Sequence, residues 1–219
     1  QLEDEKDILN CGIDIKVTLP GKTVKTISLL SGGEKAFVAI ALYFAILKVR
    51  PTPFCILDEI EAALDDVNVD KYINYMRTLC NKTQFIVITH RRGTMEAADI
   101  LFLSDESVWE DYHAFLWELS RTYNPRIIVL GRGSKGAAMF VRDHDRIYDL
   151  EAVHVGEVVN TVGAGDALFS AFVHFYAQGM EPLECLKRAQ IFASAKIRVS
   201  GASRGFVTEA EIEEMSQWN

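Results

Sequence analysis

The sequence predicts an α/β protein, a three-layer sandwich built on a mostly parallel sheet. Residues 54–57 and 85–89 are short apolar runs, which indicate strands buried on both faces, and helical patterns lie between them. The alternation of strands and helices continues beyond residue 100 without a linker. We therefore expect the two halves of the chain to share one continuous sheet.

The individual elements are indicated by periodicity and by turn residues. Residues 13–19 alternate apolar and polar side chains and end at Pro20 and Gly21, as a half-buried strand closed by a turn does. A helix of about 14 residues is predicted to begin at Glu34. The remaining strands are short apolar runs, of which the last two predict a hairpin: 100–103, 126–130, 136–141 and 146–150. The remaining helices have apolar residues at helical spacing: 108–121, 166–178 and 182–199.

Composition limits the class of protein. A chain of 219 residues with 49% hydrophobic and 25% charged residues suits one or two globular domains. The net charge of −8 lacks the basic excess of an autonomous nucleic-acid binder, so we expect no direct nucleic-acid binding. The four cysteines have no C-x-x-C spacing, and no apolar run is long enough for a bilayer. These features predict reduced thiols, a cytoplasmic location and no membrane association.

The first candidate site is Ser31, Gly32 and Gly33, which stand directly before the first long helix. Their hydroxyl and N–H groups would lie at the positive end of the helix dipole, which suits a phosphate. An ordinary capping turn is the alternative, and for these three residues alone it is the better interpretation.

Acidic residues and a histidine follow the next two predicted strands. Asp58 and Glu59 come after one strand, where an α/β sheet binds its ligands, and could hold Mg²⁺ and polarise a water molecule. His90 ends the following strand, where it could reach a γ-phosphate. A single histidine at such a position is more often a structural hydrogen-bonding group.

Over residues 10–101 these elements together resemble the C-terminal lobe of the ATPase head of structural maintenance of chromosomes (SMC) proteins. LLSGGEKA is similar to the signature motif, CILDEIEAALDD to the Walker B strand and D-loop, and ITHRRGTMEAAD to the switch-histidine segment. The resemblance implies that Asp58 coordinates Mg²⁺, Glu59 is the catalytic base and His90 senses the γ-phosphate of ATP. The residues Ser31, Gly32 and Gly33 would contact ATP held by a second head, so the resemblance is compatible with an oligomer. The sequence contains no G-x-x-x-x-G-K-[ST] phosphate loop, which the family takes from another lobe.

The second candidate site is Gly163, Ala164, Gly165 and Asp166, at the start of an apolar helix. Small residues allow a ligand to approach closely, and N–H groups at a helix start favour an anion. The arrangement suits phosphoryl transfer to an alcohol, with Asp166 taking the hydroxyl proton. An N-capping aspartate after a glycine turn is the alternative interpretation of these four residues alone.

Residues 97–215 resemble the C-terminal half of ribokinase-like (PfkB) sugar and nucleoside kinases. The resemblance rests on Asn160-Thr161-Val162-Gly163-Ala164-Gly165-Asp166 and on the earlier Gly-Ser-Lys-Gly-Ala segment at 133–137. It implies that Asp166 is the catalytic base and that Gly163, Ala164 and Gly165 form the anion hole. The ATP site would be lined by the helix at 182–199 and by residues around Gly131 to Gly136, including Gly133 and Lys135. The phosphate acceptor would be a sugar or nucleoside. The chain departs from the family pattern at three places: Asn160, Gly131 and 104–107.

The two resemblances meet within residues 97–101, which predicts a chimera of an SMC-like part, 1–101, and a PfkB-like part, 102–219. Such a chain could be engineered or a natural fusion. We expect at most residual ATP or phosphate binding with little or no turnover. The alternatives are an ATP-dependent sugar or nucleoside kinase that uses Asp166, and an SMC-type ATPase that gains a phosphate loop from another chain. If the chain is an enzyme, we expect the kinase rather than the ATPase.

Overall fold

The computed structural model describes residues 6, 15–18, 25–104, 111–153, 156–201 and 204–216. The chain divides into two compact units, Gln1–Ala97 and Ala98–Asn219, and each has its own apolar core. Both units mix helices and strands, so the predicted α/β class is confirmed. The continuous sheet expected across the two halves stays a prediction.

The first unit alternates strands and helices in the order predicted. Its elements are β1 (Lys16–Val17), β2 (Lys25–Thr26), α1 (Gly32–Val49), β3 (Phe54–Asp58), α2 (Asp66–Arg77), β4 (Gln84–Ile88) and α3 (Arg92–Met95). Strands β3 and β4 pair in parallel, and β1 and β2 pair antiparallel. The predicted turn at Pro20 and Gly21 lies outside the described residues.

The β3–β4 pair is covered on one face. Cys55 and Leu57 point into a core formed with α1 and α2, where the rings of Phe44 and Tyr72 stack with centroids 5.8 Å apart. On the opposite face Ile56 is 57% exposed. The prediction that these strands are buried on both faces is therefore wrong for β3. Successive side chains of a strand point to opposite faces, and the helices of this unit cover only one of them.

The second unit contains a four-stranded sheet in the order β5-β6-β7-β8. Its elements are β5 (Ile100–Ser104), α4 (Tyr112–Tyr123), β6 (Ile127–Gly131), β7 (Ala137–Val141), β8 (Arg146–Leu150), α5 (Ala164–Ala177), α6 (Pro182–Lys196) and α7 (Glu209–Ser216). Strands β5 and β6 are parallel, whereas β7 and β8 form the predicted hairpin and pair antiparallel. The sheet is therefore partly parallel, because the hairpin reverses the chain direction.

Helices cover both faces of this second sheet. Val129 and Met139 pack with Phe172 of α5 and with residues of α6. On the other face, Phe140 contacts Trp117 of α4 edge to face, with ring centroids 5.1 Å apart. The predicted three-layer arrangement is thus present in the second unit. No helix in the described part of the chain is long and apolar enough to cross a membrane.

Candidate functional site

The start of α1 is a capped helix terminus. Ser31 Oγ accepts a hydrogen bond from the N–H of Glu34 (3.3 Å), and the Glu34 carboxylate accepts one from the N–H of Ser31 (2.9 Å). This reciprocal pair is a capping box, so the Ser31 side chain is engaged by its own helix, as the simpler interpretation requires. The N–H groups of Gly32 and Gly33 still lie at the positive end of α1. Anion binding by these three residues stays a prediction.

Glu59 and His90 come together at the carboxyl edge of β3 and β4. Asp58 ends β3 and is exposed, and Glu59 follows it with φ +46°, which is uncommon for a residue other than glycine. The N–H of Glu59 donates to the carbonyl of Ile88 (2.9 Å), and its carboxylate lies 3.1 Å from Nδ1 of His90. Both side chains are exposed, so this pair adds little to stability and remains accessible to a ligand.

Glu61 is a buried carboxylate that sequence reasoning missed. It is 1% exposed, and its Oε1 accepts hydrogen bonds from the hydroxyls of Thr89 (2.5 Å) and Thr94 (3.1 Å). These threonines flank His90, so Glu61 ties the backbone on both sides of that histidine to the segment after β3. The available signal was an acidic residue within an otherwise apolar stretch, Ile60 to Leu64.

Arg91 strengthens the same connection. Its guanidinium donates to the carbonyls of Ala62 (3.0 Å) and Leu64 (2.8 Å) and lies 3.5 Å from the carboxylate of Asp66. A Cβ on Gly33 would lie 3.2 Å from the carbonyl oxygen of Ala63, so the start of α1 approaches this segment closely. The glycine at position 33 therefore has a packing reason that is independent of any ligand.

The start of α5 has the geometry of an anion site. Its N-cap, Gly163, adopts φ +78° and has no side chain to satisfy the first turn. The N–H of Ala164 bonds to the carbonyl of Thr161 (3.1 Å), whereas the N–H groups of Gly165 and Asp166 have no intrahelical acceptor within reach. Gly165 and Asp166 are exposed, and a Cβ on Gly165 would have no atom within 4 Å. The first turn is thus open to a ligand.

The loop before α5 is fixed to the end of α6. The Asn160 side-chain oxygen accepts from the N–H of Val162 (2.9 Å), so asparagine stabilises the turn here. The N–H groups of Val159 and Asn160 donate to the carbonyl of Ile197 at 2.9 and 3.0 Å. Lys196, a second residue that sequence reasoning missed, is fully buried, and its Nζ donates to the carbonyl of Val162 (2.5 Å).

The turn after β6 contains the other glycines of the predicted ATP site. Gly133 has φ +55° and open space around it, and Lys135 is exposed. Gly136 has φ +90°, and a Cβ there would lie 2.0 Å from the carbonyl oxygen of Leu150. Glycine at position 136 is therefore required by the fold, and nucleotide contact by Gly133, Lys135 and Gly136 stays a prediction.

A polar cluster orients Arg132, the residue before this turn. The hydroxyl of Tyr112 donates to Asp149 (2.8 Å), and His113 Nε2 lies 2.9 Å from the same carboxylate. The Arg132 guanidinium stacks on the Tyr112 ring, 3.7 Å from its centroid. Burial raises the pKa of Tyr112, and the hydrogen bond to Asp149 raises it further.

The described side chains contain no group of three or more His, Cys, Asp or Glu that could hold a metal ion. Mg²⁺ often takes only one or two carboxylates together with the phosphates of its nucleotide. Asp58 and Asp166 are exposed and fit that mode. Of the predicted Mg²⁺-side segment, 104–107, only Ser104 lies within the described residues.

Two family models match the chain. The RecF/RecN/SMC N terminal domain matches residues 10–105, and the pfkB family of carbohydrate kinases matches residues 66–209. Both predicted resemblances are therefore confirmed. The matched ranges overlap, and the junction predicted at 97–101 lies within the overlap.

Curated relatives of the first part are chromosome partition proteins named Smc. The protein from Bacillus subtilis is 56% identical over 102 residues, which are 47% of this chain and 9% of that protein. The protein from Clostridium kluyveri is 60% identical over 96 residues, which are 44% of this chain and 8% of that protein. The chain thus corresponds to less than a tenth of the length of these relatives.

Solved structures similar to this chain include ribokinases. The Arabidopsis thaliana ribokinase complexed with ribose and ATP gives a TM-score of 0.60 at 19% identity, covering 78% of this chain and 58% of that chain. The Giardia lamblia ribokinase gives 0.61 at 13% identity, covering 89% of this chain and 67% of that chain. At these identities the similarity shows the fold alone.

Proposed function

The chain belongs to the pfkB family of carbohydrate kinases over residues 66–209 and also carries an SMC-type segment, and we propose that it is a fusion of the two that binds ATP through its phosphates. The binding site is the start of α5, where Gly163, Ala164 and Gly165 form the turn and the N–H groups of Gly165 and Asp166 are open to the phosphate. We expect little or no turnover.

The observation that carries this proposal is the geometry of the first turn of α5. A left-handed glycine cap leaves the helix start without a side-chain partner, and Gly165 faces open space. The N–H groups of Gly165 and Asp166, which have no intrahelical acceptor, lie at the positive end of a 14-residue helix, a position suited to a phosphate. The exposed Asp166 stands in the same turn, where its carboxylate could accept the proton of a sugar hydroxyl.

The expectation of weak turnover rests on exposure. Efficient phosphoryl transfer depends on positioning and on exclusion of water from the reacting groups. Gly165 and Asp166 are both exposed, so their electrostatic interactions with a phosphate would be screened. Asp166 would supply a carboxylate oxygen to Mg²⁺ only in company with ATP, because one carboxylate is a weak site alone.

The first unit supports a separate candidate function because the structure brings Glu59 within hydrogen-bonding distance of His90. By resemblance, Glu59 would be the base of an ATPase, with Asp58 on Mg²⁺, once a phosphate loop came from another chain. This activity would require no sugar.

One set of measurements on the full chain tests these functions. We would titrate MgATP by calorimetry, and then follow ADP release with and without a pool of sugars and nucleosides. Asp166→Asn and Glu59→Gln keep the size of each side chain and remove its basicity, so each variant is a control for the other.

We expect MgATP to bind with no more than slow ADP release, whether or not an acceptor is present. Fast acceptor-dependent release that is lost in Asp166→Asn would establish the kinase and refute the expectation of weak turnover. Acceptor-independent release that is lost in Glu59→Gln would establish the ATPase. If MgATP does not bind, the proposal is wrong.

A further inference from the structure

Lys196 is a buried charge with an incomplete set of partners. It is 0% exposed, and its ammonium donates to the carbonyl oxygen of Val162 at 2.5 Å. No carboxylate of the described residues forms an ion pair with it, and Val162 is its only hydrogen-bond partner among them. Lysine is almost never fully buried unless it is paired, and an ammonium has three N–H groups to satisfy. An anion near Lys196 would supply the counter-charge and the acceptors that one neutral carbonyl does not.

The position of Lys196 identifies which anion. Its acceptor, Val162, directly precedes Gly163, the cap of α5. The next residue after Lys196 holds the same loop, because the Ile197 carbonyl accepts the N–H groups of Val159 and Asn160. The end of α6 and the loop before α5 are thus joined by three hydrogen bonds. Lys196 thus holds the residue that directly precedes the cap of α5.

We propose that Lys196 is the built-in cation of the phosphate site at the start of α5. Its ammonium fixes the Val162 carbonyl and with it the N–H of Gly163 in the same peptide unit, next to the open N–H groups of Gly165 and Asp166. Its charge attracts a phosphate through the protein interior, where opposite charges interact more strongly than in water. Lys196 is a positioning residue, since it acts through the loop, and this role rests on the phosphate binding proposed above.

This role of Lys196 predicts a distinctive pattern of stability with and without phosphate. Without a ligand, an incompletely paired buried ammonium destabilises the fold, and replacing it by an apolar side chain of similar length should be neutral or stabilising. With phosphate bound, the ammonium gains its counter-charge, so the wild type should be stabilised more by phosphate than the variant is. A purely structural lysine would show the opposite pattern, with lower stability in the variant and unchanged ligand affinity.

The test uses the full chain, inorganic phosphate and MgATP as probes, and calorimetry with thermal unfolding as readouts. Lys196→Met removes the charge, Lys196→Gln keeps a donor for the Val162 carbonyl without charge, and Lys196→Arg keeps the charge. Arg198→Met is the matched control, because Arg198 is exposed two residues further along and its loss changes the net charge equally. Lys196→Ala is measured in ammonium chloride and in sodium chloride at equal ionic strength.

We expect Lys196→Met and Lys196→Gln to bind both probes at least ten-fold more weakly, and Arg198→Met to stay within about two-fold of wild type. Lys196→Ala should recover affinity in ammonium chloride and not in sodium chloride. If Lys196→Gln binds phosphate and MgATP as tightly as the wild type, the role of the charge is refuted. This result decides the question even if Lys196→Met fails to fold. Absence of binding by the wild type would instead refute the proposed function itself and the inference with it.

Discussion

Replacing Glu61 by alanine should destabilise the first unit by about 4 kcal/mol. The change leaves the hydroxyls of Thr89 and Thr94 without their acceptor, and an unsatisfied buried hydroxyl costs about 1–3 kcal/mol. Thr94 is 3% exposed and should lie near the upper end of that range, whereas Thr89 is half-buried and should lie near the lower end. Glu61→Gln is the matched control because it keeps an oxygen for both hydroxyls, and we expect a loss of about 1 kcal/mol for it.

The distribution of tryptophan makes the assay specific. All three tryptophans, Trp109, Trp117 and Trp218, lie in the second half of the chain, so their fluorescence reports on that half. Far-ultraviolet circular dichroism reports on the helices of both units. Urea unfolding of wild type, Glu61→Ala and Glu61→Gln, followed by both signals, therefore separates the two halves.

With a urea slope of about 1–3 kcal/mol/M, a loss of about 4 kcal/mol corresponds to a fall of roughly 1–4 M in the urea midpoint. If the two halves share one sheet, as the sequence predicts, the fluorescence midpoint should fall together with the dichroism midpoint. An unchanged fluorescence midpoint would refute the shared sheet. Equal midpoints for Glu61→Ala and Glu61→Gln would refute the structural role assigned to the carboxylate.

Three further predictions concern stability. Gly136→Ala should lower the free energy of unfolding by about 3 kcal/mol or more, because alanine at φ +90° is strained and its Cβ would overlap the Leu150 carbonyl. In the control Gly165→Ala the new Cβ meets no atom, so the free energy of unfolding should change by less than about 1 kcal/mol. Tyr72→Phe should leave the free energy of unfolding in urea unchanged or raise it by up to about 1 kcal/mol. The reason is that the buried Tyr72 hydroxyl has no partner within the described residues, and burial raises its pKa. A clear loss of stability would contradict this and indicate a hydrogen bond to the Tyr72 hydroxyl. The hydrogen bond from His174 lowers the pKa of Glu209 below its ordinary 4.5, so its stabilisation is present above that pH and is lost as the pH falls through the folded-state pKa. The difference in melting temperature between wild type and Glu209→Gln should therefore shrink on acidification, and a constant difference would contradict this assignment.

Local signals made much of the fold predictable. The capping turn at Ser31, the glycine turn before α5 and the hairpin after Gly136 each lie within a few residues of the sequence, so composition and spacing were enough to place them. The coverage of a strand is not local. The apolar run at 54–57 looks the same whether one face or two are covered, and only the packing of α1 and α2 leaves Ile56 exposed.

The same argument explains why the sequence revealed the glycines and acids of the candidate sites but missed Glu61 and Lys196. A charged side chain is exposed by default, and its burial depends on partners 28 to 34 residues away in the chain. Sequence spacing carries no information about such a distant partner unless both residues belong to a known motif.

Glu61 and Lys196 are both buried charges beside a candidate site, and their partners separate their roles. Glu61 receives two hydroxyl donors at Oε1, whereas its Oε2 has no hydrogen-bond partner among the described residues. Among the described residues Lys196 has one carbonyl acceptor, which satisfies a single N–H and no charge. A buried carboxylate that accepts from hydroxyls of the fold should affect stability and leave phosphate binding unchanged, whereas a buried ammonium that is paired by a bound phosphate should affect phosphate binding more than stability. Glu61→Gln and Lys196→Gln each replace a charged group by a neutral amide and remove charges of opposite sign, so phosphate titration and urea unfolding of these two variants should give opposite patterns. If both variants lose stability and neither loses phosphate affinity, Lys196 is a structural residue and the distinction fails.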